Sequence, residues 1–355
     1  MDRAQLKLFL IAFSIASISI FCAHEDTHVK MQDFERIPVI LDTDANNELD
    51  DQHAIAYMLF GGDVFDVKGI TVNRTAGGGD VTKHLEEAER IVKLCGLHQS
   101  IKIYKGANGA FDEIKGSVNE VAFDGSDAVN FIIEKSNQTP SGKLLLLAVG
   151  KLTNIALALK KDPSIASRVK VLWLGSNYPD PGEYNQENDS ASLNYILDTA
   201  VEFEIALVRY NKPSGTAAVT VSLNDIRKNL RGKGPVISEP ILGRHGGQFT
   251  CFGDYSINLF ENAELHGMQQ SRALFDMAAV AIVKNSSWAT PIEIPAPKLV
   301  NGNWVDRPGN QRKIVIWENF NREKIIQDLY DRMENYYLDT RPSRRRLSGE
   351  GPESE

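Results

Sequence analysis

The chain has 355 residues, 47 of them Asp or Glu and 39 Lys or Arg, for a formal net charge of −8. With 42% hydrophobic and 24% charged residues it has the composition of a folded globular protein, long enough for a core that needs no disulfide or metal staple. The acidic balance argues against a nucleic-acid partner, whose surface would require a clustered basic field, and the composition excludes low-complexity disorder over most of the chain.

Asp2, Arg3 and Lys7 precede an uncharged run from Leu8 to Ala23, and polar sequence resumes at His24-Glu25-Asp26. The run is too short for a comfortable membrane span, so residues 1–23 read as a secretory signal peptide cleaved after Cys22 or Ala23. The expectation is a secreted or periplasmic protein without a stable membrane span. Phe21 is too bulky for the small residue that precedes a lipidated cysteine, which argues against an anchor at Cys22. Cys95 and Cys251 then remain, too few for a disulfide framework. His24-Glu25-Asp26-Thr27-His28 spells a zinc-protease pattern, but it lies in polar sequence without helical periodicity and is set aside.

Between residues 36 and 337 the pattern alternates. Ile37 to Leu41 reads as a buried strand ending in Asp42, and Asp50 to Phe60 as a helix stopped by Gly61-Gly62. The next elements are a strand over Val67–Val72, an amphipathic helix over Val81–Leu94 with Gly96 just past its end, and a strand over Ile101–Tyr104. Next come a helix over Asp127–Lys135, a strand over Leu144–Val149 and a helix over Leu152–Lys160 bounded by Pro163. Val169–Leu174 and Ile205–Val208 read as strands with a helix over Ala191–Phe203 between them. Arg272–Lys284 reads as a later helix, Lys313–Trp317 as a strand and Arg322–Met333 as the closing helix. Residues 341–355, which begin with the basic stretch Arg341–Arg346, read as a flexible tail.

Strands apolar on both faces and alternating with helices imply a single α/β domain over residues 36–337, a mostly parallel, open, Rossmann-like sheet with helices on both faces. Ligands in such folds bind at the carboxyl ends of the strands. There the first strand carries Asp42-Thr43-Asp44-Ala45-Asn46-Asn47-Glu48-Leu49-Asp50-Asp51, five acids in ten residues. Such a cluster repels itself unless a cation sits within it, and hard oxygen ligands suit Ca²⁺ or Mg²⁺, Ca²⁺ accepting the less regular set. The plainer reading is a solvated loop whose Asp50 or Asp51 caps the following helix. Gly77-Gly78-Gly79-Asp80 lacks the Lys-Ser/Thr of a phosphate-binding P-loop and reads as a flexible turn.

The order of these blocks resembles the inosine–uridine nucleoside hydrolase family, whose first strand ends in Asp-x-Asp followed closely by Asp-Asp. The chain keeps Asp42, Asp44, Asp50 and Asp51, with five residues between Asp44 and Asp50 where typical members have three. Val149-Gly150-Lys151-Leu152-Thr153-Asn154-Ile155-Ala156 is similar to the family's Gly-x-Leu-Thr-Asn-Ile-Ala segment. Asn177 followed by Glu183-Tyr184-Asn185 and Asp189 matches a second block, and Phe275-Asp276 before Ala278-Ala279 a third. The resemblance implies a Ca²⁺-dependent N-ribosyl hydrolase that gives free base and ribose from a small nucleoside or other ribosyl substrate, and a homo-oligomer. It implies Asp44, Asp51, Asp276 and the carbonyl of Val149 as Ca²⁺ ligands, and Asp44 as the base that takes a proton from the attacking water. Asp50 and Asp276 would grip the 2′- and 3′-hydroxyls of ribose, Asn177, Glu183 and Asn185 its 5′ end, and Asn73 a further ribose contact. One departure stands out, because many members carry His where this chain has Phe275, which cannot donate a proton but can stack on a base. Substitute acids could come from His245, His53 or Arg74, though the plainer reading of each is an ordinary surface or structural residue. Phe275 also supports an alternative, a Ca²⁺-dependent ribose- or nucleoside-binding relative without catalysis.

Overall fold

A computed structural model describes residues 36–139 and 142–340. The expected signal peptide, the His24–His28 motif and the tail over 341–355 lie outside the described residues. The architecture is one α/β domain around an eight-stranded sheet. Numbered in chain order, its strands are β1 (Ile37–Thr43), β2 (Phe65–Val72), β3 (Ile103–Lys105), β4 (Leu144–Ala148), β5 (Val169–Gly175), β6 (Glu202–Leu207), β7 (Thr290–Pro295) and β8 (Lys313–Glu318). They lie in the order β7-β8-β6-β5-β4-β1-β2-β3, all neighbours parallel except the antiparallel edge pair β7 and β8.

Strand alternation explains the two-faced apolar runs. Val39 and Leu41 of β1 and Leu145 and Leu147 of β4 enter one core cluster with the helices Asp50–Leu59, Val81–Leu94 and Phe275–Lys284. Ile40, Leu144, Leu146 and Ala148 enter the other, with the helices Ser126–Gln138, Thr153–Lys161 and Ser190–Leu197. The helix Asp50–Leu59 is buried along its whole length, so its packing against Phe275–Lys284 fixes where its first turn points.

Order reverses between β1 and β4, where chain connections run outward in opposite directions along the sheet. That crevice at the carboxyl ends is where open α/β sheets bind ligands. The acidic segment leaves β1 into it, and Val149-Gly150 leaves β4 beside it. Several boundaries differ from the sequence reading, three of them as follows. The helix expected over Ala191–Phe203 ends at Leu197, so β6 starts at Glu202. The helix expected from Arg272 starts at Phe275, because Ser271–Ala273 instead pairs antiparallel with Thr220–Ser222. The β3 strand starts at Ile103 rather than Ile101. Cys95 and Cys251 are both buried free thiols.

Candidate active site

Asp42 ends the run of β1 and is walled in. Its Oδ1 accepts from Thr71 Oγ1 at 2.6 Å and Asn154 Nδ2 at 2.7 Å, and its Oδ2 from Asn73 Nδ2 at 2.9 Å. Burial raises its carboxyl to about 6, with those three hydrogen bonds opposing the rise. Asp42 is therefore scaffold, tying β1, β2 and the helix after β4 together. Asp44, two residues on, is buried and accepts from the Thr75 hydroxyl through Oδ2. Burial pushes it up to about 7, opposed by Thr75 and reinforced by repulsion from Asp42 and Glu183. Gly150 makes room: a Cβ there would sit 2.8 Å from Asp44 Oδ1 and 3.0 Å from Asn73 Oδ1.

Asp50, Asp51 and Asp276 converge, with carboxylate oxygens within 4.8 Å of one another and all three side chains buried. They come from the first turns of the helices Asp50–Leu59 and Phe275–Lys284. Burial, then repulsion from Glu48, raises Asp50 to about 7, while Arg272 opposes the rise. Burial raises Asp51 and Asp276 well above the usual carboxylate range, and their acidic neighbours add to it. The Thr43 hydroxyl donates to Asp51 at 2.5 Å. At an effective dielectric of about 20, two charges this close repel by roughly 3 kcal/mol. A helix N-terminus returns about 0.3–2 kcal/mol each, too little to hold three ionised carboxylates. Among the described residues no Lys, Arg or His forms an ion pair with Asp44, Asp50, Asp51 or Asp276. The donor set, buried oxygens with one orphan in Asn73 Oδ1, fits a hard divalent cation.

These residues open into a cavity of about 700 Å³. Val149, Glu183 and Asn185 form one wall with the carboxylates at its floor. Glu183 caps the helix Tyr184–Asn188, accepting from Asn185 N at 3.0 Å, Gln186 N at 2.9 Å and Ser176 N at 2.8 Å. Asn185 Nδ2 donates to the Val149 carbonyl at 2.8 Å, leaving that oxygen a second lone pair for another partner. Phe275 and Tyr210 supply an aromatic part of the lining, edge to face with centroids 5.9 Å apart. Tyr210 is held between Arg209 and Asn211, both in the left-handed region at φ 48° and 60°, a costly conformation that clusters at binding sites.

The model of the inosine-uridine preferring nucleoside hydrolases matches residues 39–329. This chain belongs to that family. Probable uridine nucleosidase 1 of Oryza sativa subsp. japonica is 27% identical over 201 residues, 49% of this chain and 59% of that protein. Probable uridine nucleosidase 2 of the same plant is 31% identical over 214 residues, 51% of this chain and 60% of that one. The matched stretch thus spans about three-fifths of the length of these curated relatives. Among solved structures, a plant nucleoside hydrolase superposes with a TM-score of 0.64 at 19% identity over 84% of this chain and 98% of its own. An inosine-guanosine nucleoside hydrolase gives 0.65 at 16% identity, over 85% and 100%. Identities this low establish the shared fold.

As a member of this nucleoside hydrolase family, the chain places its expected residues unevenly. Asp44, Asp50, Asp51, Val149, Glu183, Asn185, Phe275 and Asp276 meet at one cavity. Asn177 does not line it: its amide donates to the Gly182 carbonyl and accepts from Tyr210 N at 3.1 Å, so it ties two wall segments together. Asn73 lies behind Gly150, bonded to Asp42. None of the candidate replacement acids lines the cavity. His53 is buried, with Nδ1 2.6 Å from the Leu49 carbonyl and Nε2 2.7 Å from Ser256 Oγ, and burial holds it near 4. His245 borders a separate, basic cavity with Arg90 and Arg244, and Arg74 borders neither. The sequence reading missed Tyr210, Arg272 and His266, whose positions after β6 and before Phe275 are the only local hint.

The glycine run has a structural purpose. Gly78, at φ +77°, accepts from Asn46 Nδ2 through its carbonyl at 2.6 Å, and a Cβ on it would lie 2.6 Å from the Asn46 carbonyl oxygen. Gly77 N donates to Tyr184 OH at 2.7 Å, which reaches Asn47 Oδ1 at 3.3 Å. The longer acidic loop is thus held against Gly77-Gly78, with the Tyr184 hydroxyl bridging Gly77 and Asn47.

Proposed function

We propose that this chain hydrolyses the N-glycosidic bond of a ribonucleoside to free base and ribose, with Ca²⁺ held by Asp44, Asp51, Asp276 and the Val149 carbonyl. One observation carries the reading: four buried carboxylates, without an ion-paired cationic side chain among the described residues, form the floor of a nucleoside-sized cavity. When bound, the cation supplies Lewis acidity, offsetting the carboxylates and holding the sugar diol. Asp44 is the general base. Thr75 occupies its Oδ2, which leaves Oδ1 for the proton of the attacking water. Asn73, behind Gly150 and bonded to Asp42, helps hold the end of β1 from outside the cavity. Asp50 and Asp276 accept from the 2′- and 3′-hydroxyls. Glu183 has three acceptor positions filled by backbone amides and offers the remaining one, with Asn185, to the 5′-hydroxyl. The ring of oxygens stabilises the cationic sugar of the transition state. Phe275 and Tyr210 bracket the base with aromatic surface.

The residues fit Ca²⁺ better than Mg²⁺ because the set mixes carboxylates with a backbone carbonyl and has no octahedral regularity imposed by the fold. Residues 1–23 read as a signal peptide would place the activity outside the cytoplasm; among the described residues no helix is long and apolar enough to cross a membrane. The assignment of the base is tested with Asp44→Asn. It should lower kcat at least about 10³-fold while the melting temperature stays within a few degrees. Near-normal turnover in that variant would show that another group activates the water. Tight nucleoside binding without product in the unmodified protein would instead favour the non-catalytic alternative that Phe275 suggests.

A further inference from the structure

The cavity has a charged end that the roles above leave unused. Arg272 lines the cavity together with Glu48, Phe275 and the carboxylates. With Glu183 and Asn185 holding the 5′ end and the carboxylates the diol, the base lies toward Phe275, and Arg272, three residues before it, lines the same cavity. This inference rests on the nucleosidase reading.

Arg272 is built into that end. It lines the cavity with its side chain only 15% exposed, and it pairs with Glu48. Its Nη1 donates to His266 Nε2 at 2.8 Å and to the Glu264 carbonyl at 3.3 Å. A guanidinium carries five N–H donors in a rigid fork. Three are committed to these partners, and the other two have no partner among the described residues. Glu48, in the acidic loop between Asp44 and Asp50, anchors Arg272 at the cavity. Ser271–Ala273 is held in a strand pair with Thr220–Ser222, which fixes the Arg272 backbone just before Phe275.

From this geometry we infer that Arg272 is a catalytic residue that receives the leaving base, in the place where a proton-donating His is lost to Phe275. As the C1′–N bond breaks, its electron pair passes to the base and spreads onto the ring nitrogens and exocyclic oxygen. The two free N–H groups of Arg272 hydrogen-bond that developing anion without transferring a proton. The water oxygen bonds to C1′, its proton goes to Asp44, and solvent protonates the base after release.

Leaving-group dependence tests this. Purified full-length protein with Ca²⁺ is assayed on uridine and inosine and on 4-nitrophenyl β-D-ribofuranoside, whose phenolate departs without help. Arg272→Gln should lower kcat/KM for the better nucleoside 100-fold or more and for the aryl riboside no more than about threefold. Arg272→Lys, which keeps the charge opposite Glu48, should recover part of the nucleoside rate. An equal loss on both substrates in the Gln and Lys variants would overturn the role of Arg272 while leaving the nucleosidase reading intact. Failure of the unmodified protein to cleave any of the three ribosides would overturn that reading, and the role of Arg272 with it.

Discussion

The carboxylates of Asp50 and Asp276 lie within 4.8 Å of each other although they begin two different helices far apart in the chain. Packing of those helices forces the approach, and burial forbids water from screening it. Such an arrangement costs folding free energy unless a cation is present. Asp276→Asn should therefore raise the stability of the cation-free protein by about 1–2 kcal/mol while abolishing turnover. Thermal melts in chelator and in Ca²⁺ check this: the unmodified protein should gain stability on adding Ca²⁺, and the variant should gain little.

The same groups set a pH dependence. Asp44 and Asp50 lie near 7 and Asp42 near 6 in the fold, against 3.8 ordinarily, so the folded chain binds more protons than the unfolded one between about pH 4 and 7. Without cation, stability should fall as pH rises through that window. The buried imidazoles His53 and His84, both lowered mainly by burial, work in the opposite sense but are outnumbered. Cation binding needs the carboxylates ionised, so Ca²⁺ affinity should rise over the same range. Melting curves at pH 5 and 7.5, with chelator and with Ca²⁺, should show slopes of opposite sign.

Asp42 should behave unlike its neighbours. Its carboxylate satisfies Thr71, Asn73 and Asn154, and Asp42→Asn would turn an amide donor toward donors. Breaking this buried network should cost about 1–3 kcal/mol in stability. Calorimetric titration should find Ca²⁺ affinity reduced far less than in Asp51→Asn.

Gly78→Ala probes the clamp on the acidic loop. The new Cβ meets the Asn46 carbonyl oxygen at 2.6 Å from a backbone at φ +77°, so loop or helix must shift. We expect a cost of about 1–3 kcal/mol and roughly tenfold lower kcat/KM, because the loop carries Glu48 and leads into Asp50. Paired melting and rate measurements separate the two effects.

Much of the fold and the acidic floor was legible in the sequence, for a physical reason. Ile37–Leu41 and Leu144–Ala148 are apolar at nearly every position because each strand serves two cores, and a polar residue directly after such a run must lie at the sheet's ligand-binding edge. Asp44, Asp50 and Asp51 could be found that way. Arg272 could not. Read locally, Arg272 and Ala273 are good helix formers, and their strand pairing with Thr220–Ser222 is decided by residues some fifty positions away. Nor does the sequence show Glu48 meeting Arg272, or Asn177 being consumed by Gly182 and Tyr210. The sequence likewise does not show where the weakly favoured substitute acids lie. His53 is spaced as a helix residue beside two carboxylates, yet it turns into the core against Phe252 and Phe260.

Release of ribose from a panel of ribonucleosides, with Ca²⁺ and with excess chelator, tests Ca²⁺-dependent nucleoside hydrolysis most directly. The expected result is stoichiometric free base and ribose from at least one nucleoside in Ca²⁺, lost in chelator and restored by adding Ca²⁺ back. No ribose from any nucleoside with Ca²⁺ present, or turnover indifferent to chelator, would contradict it.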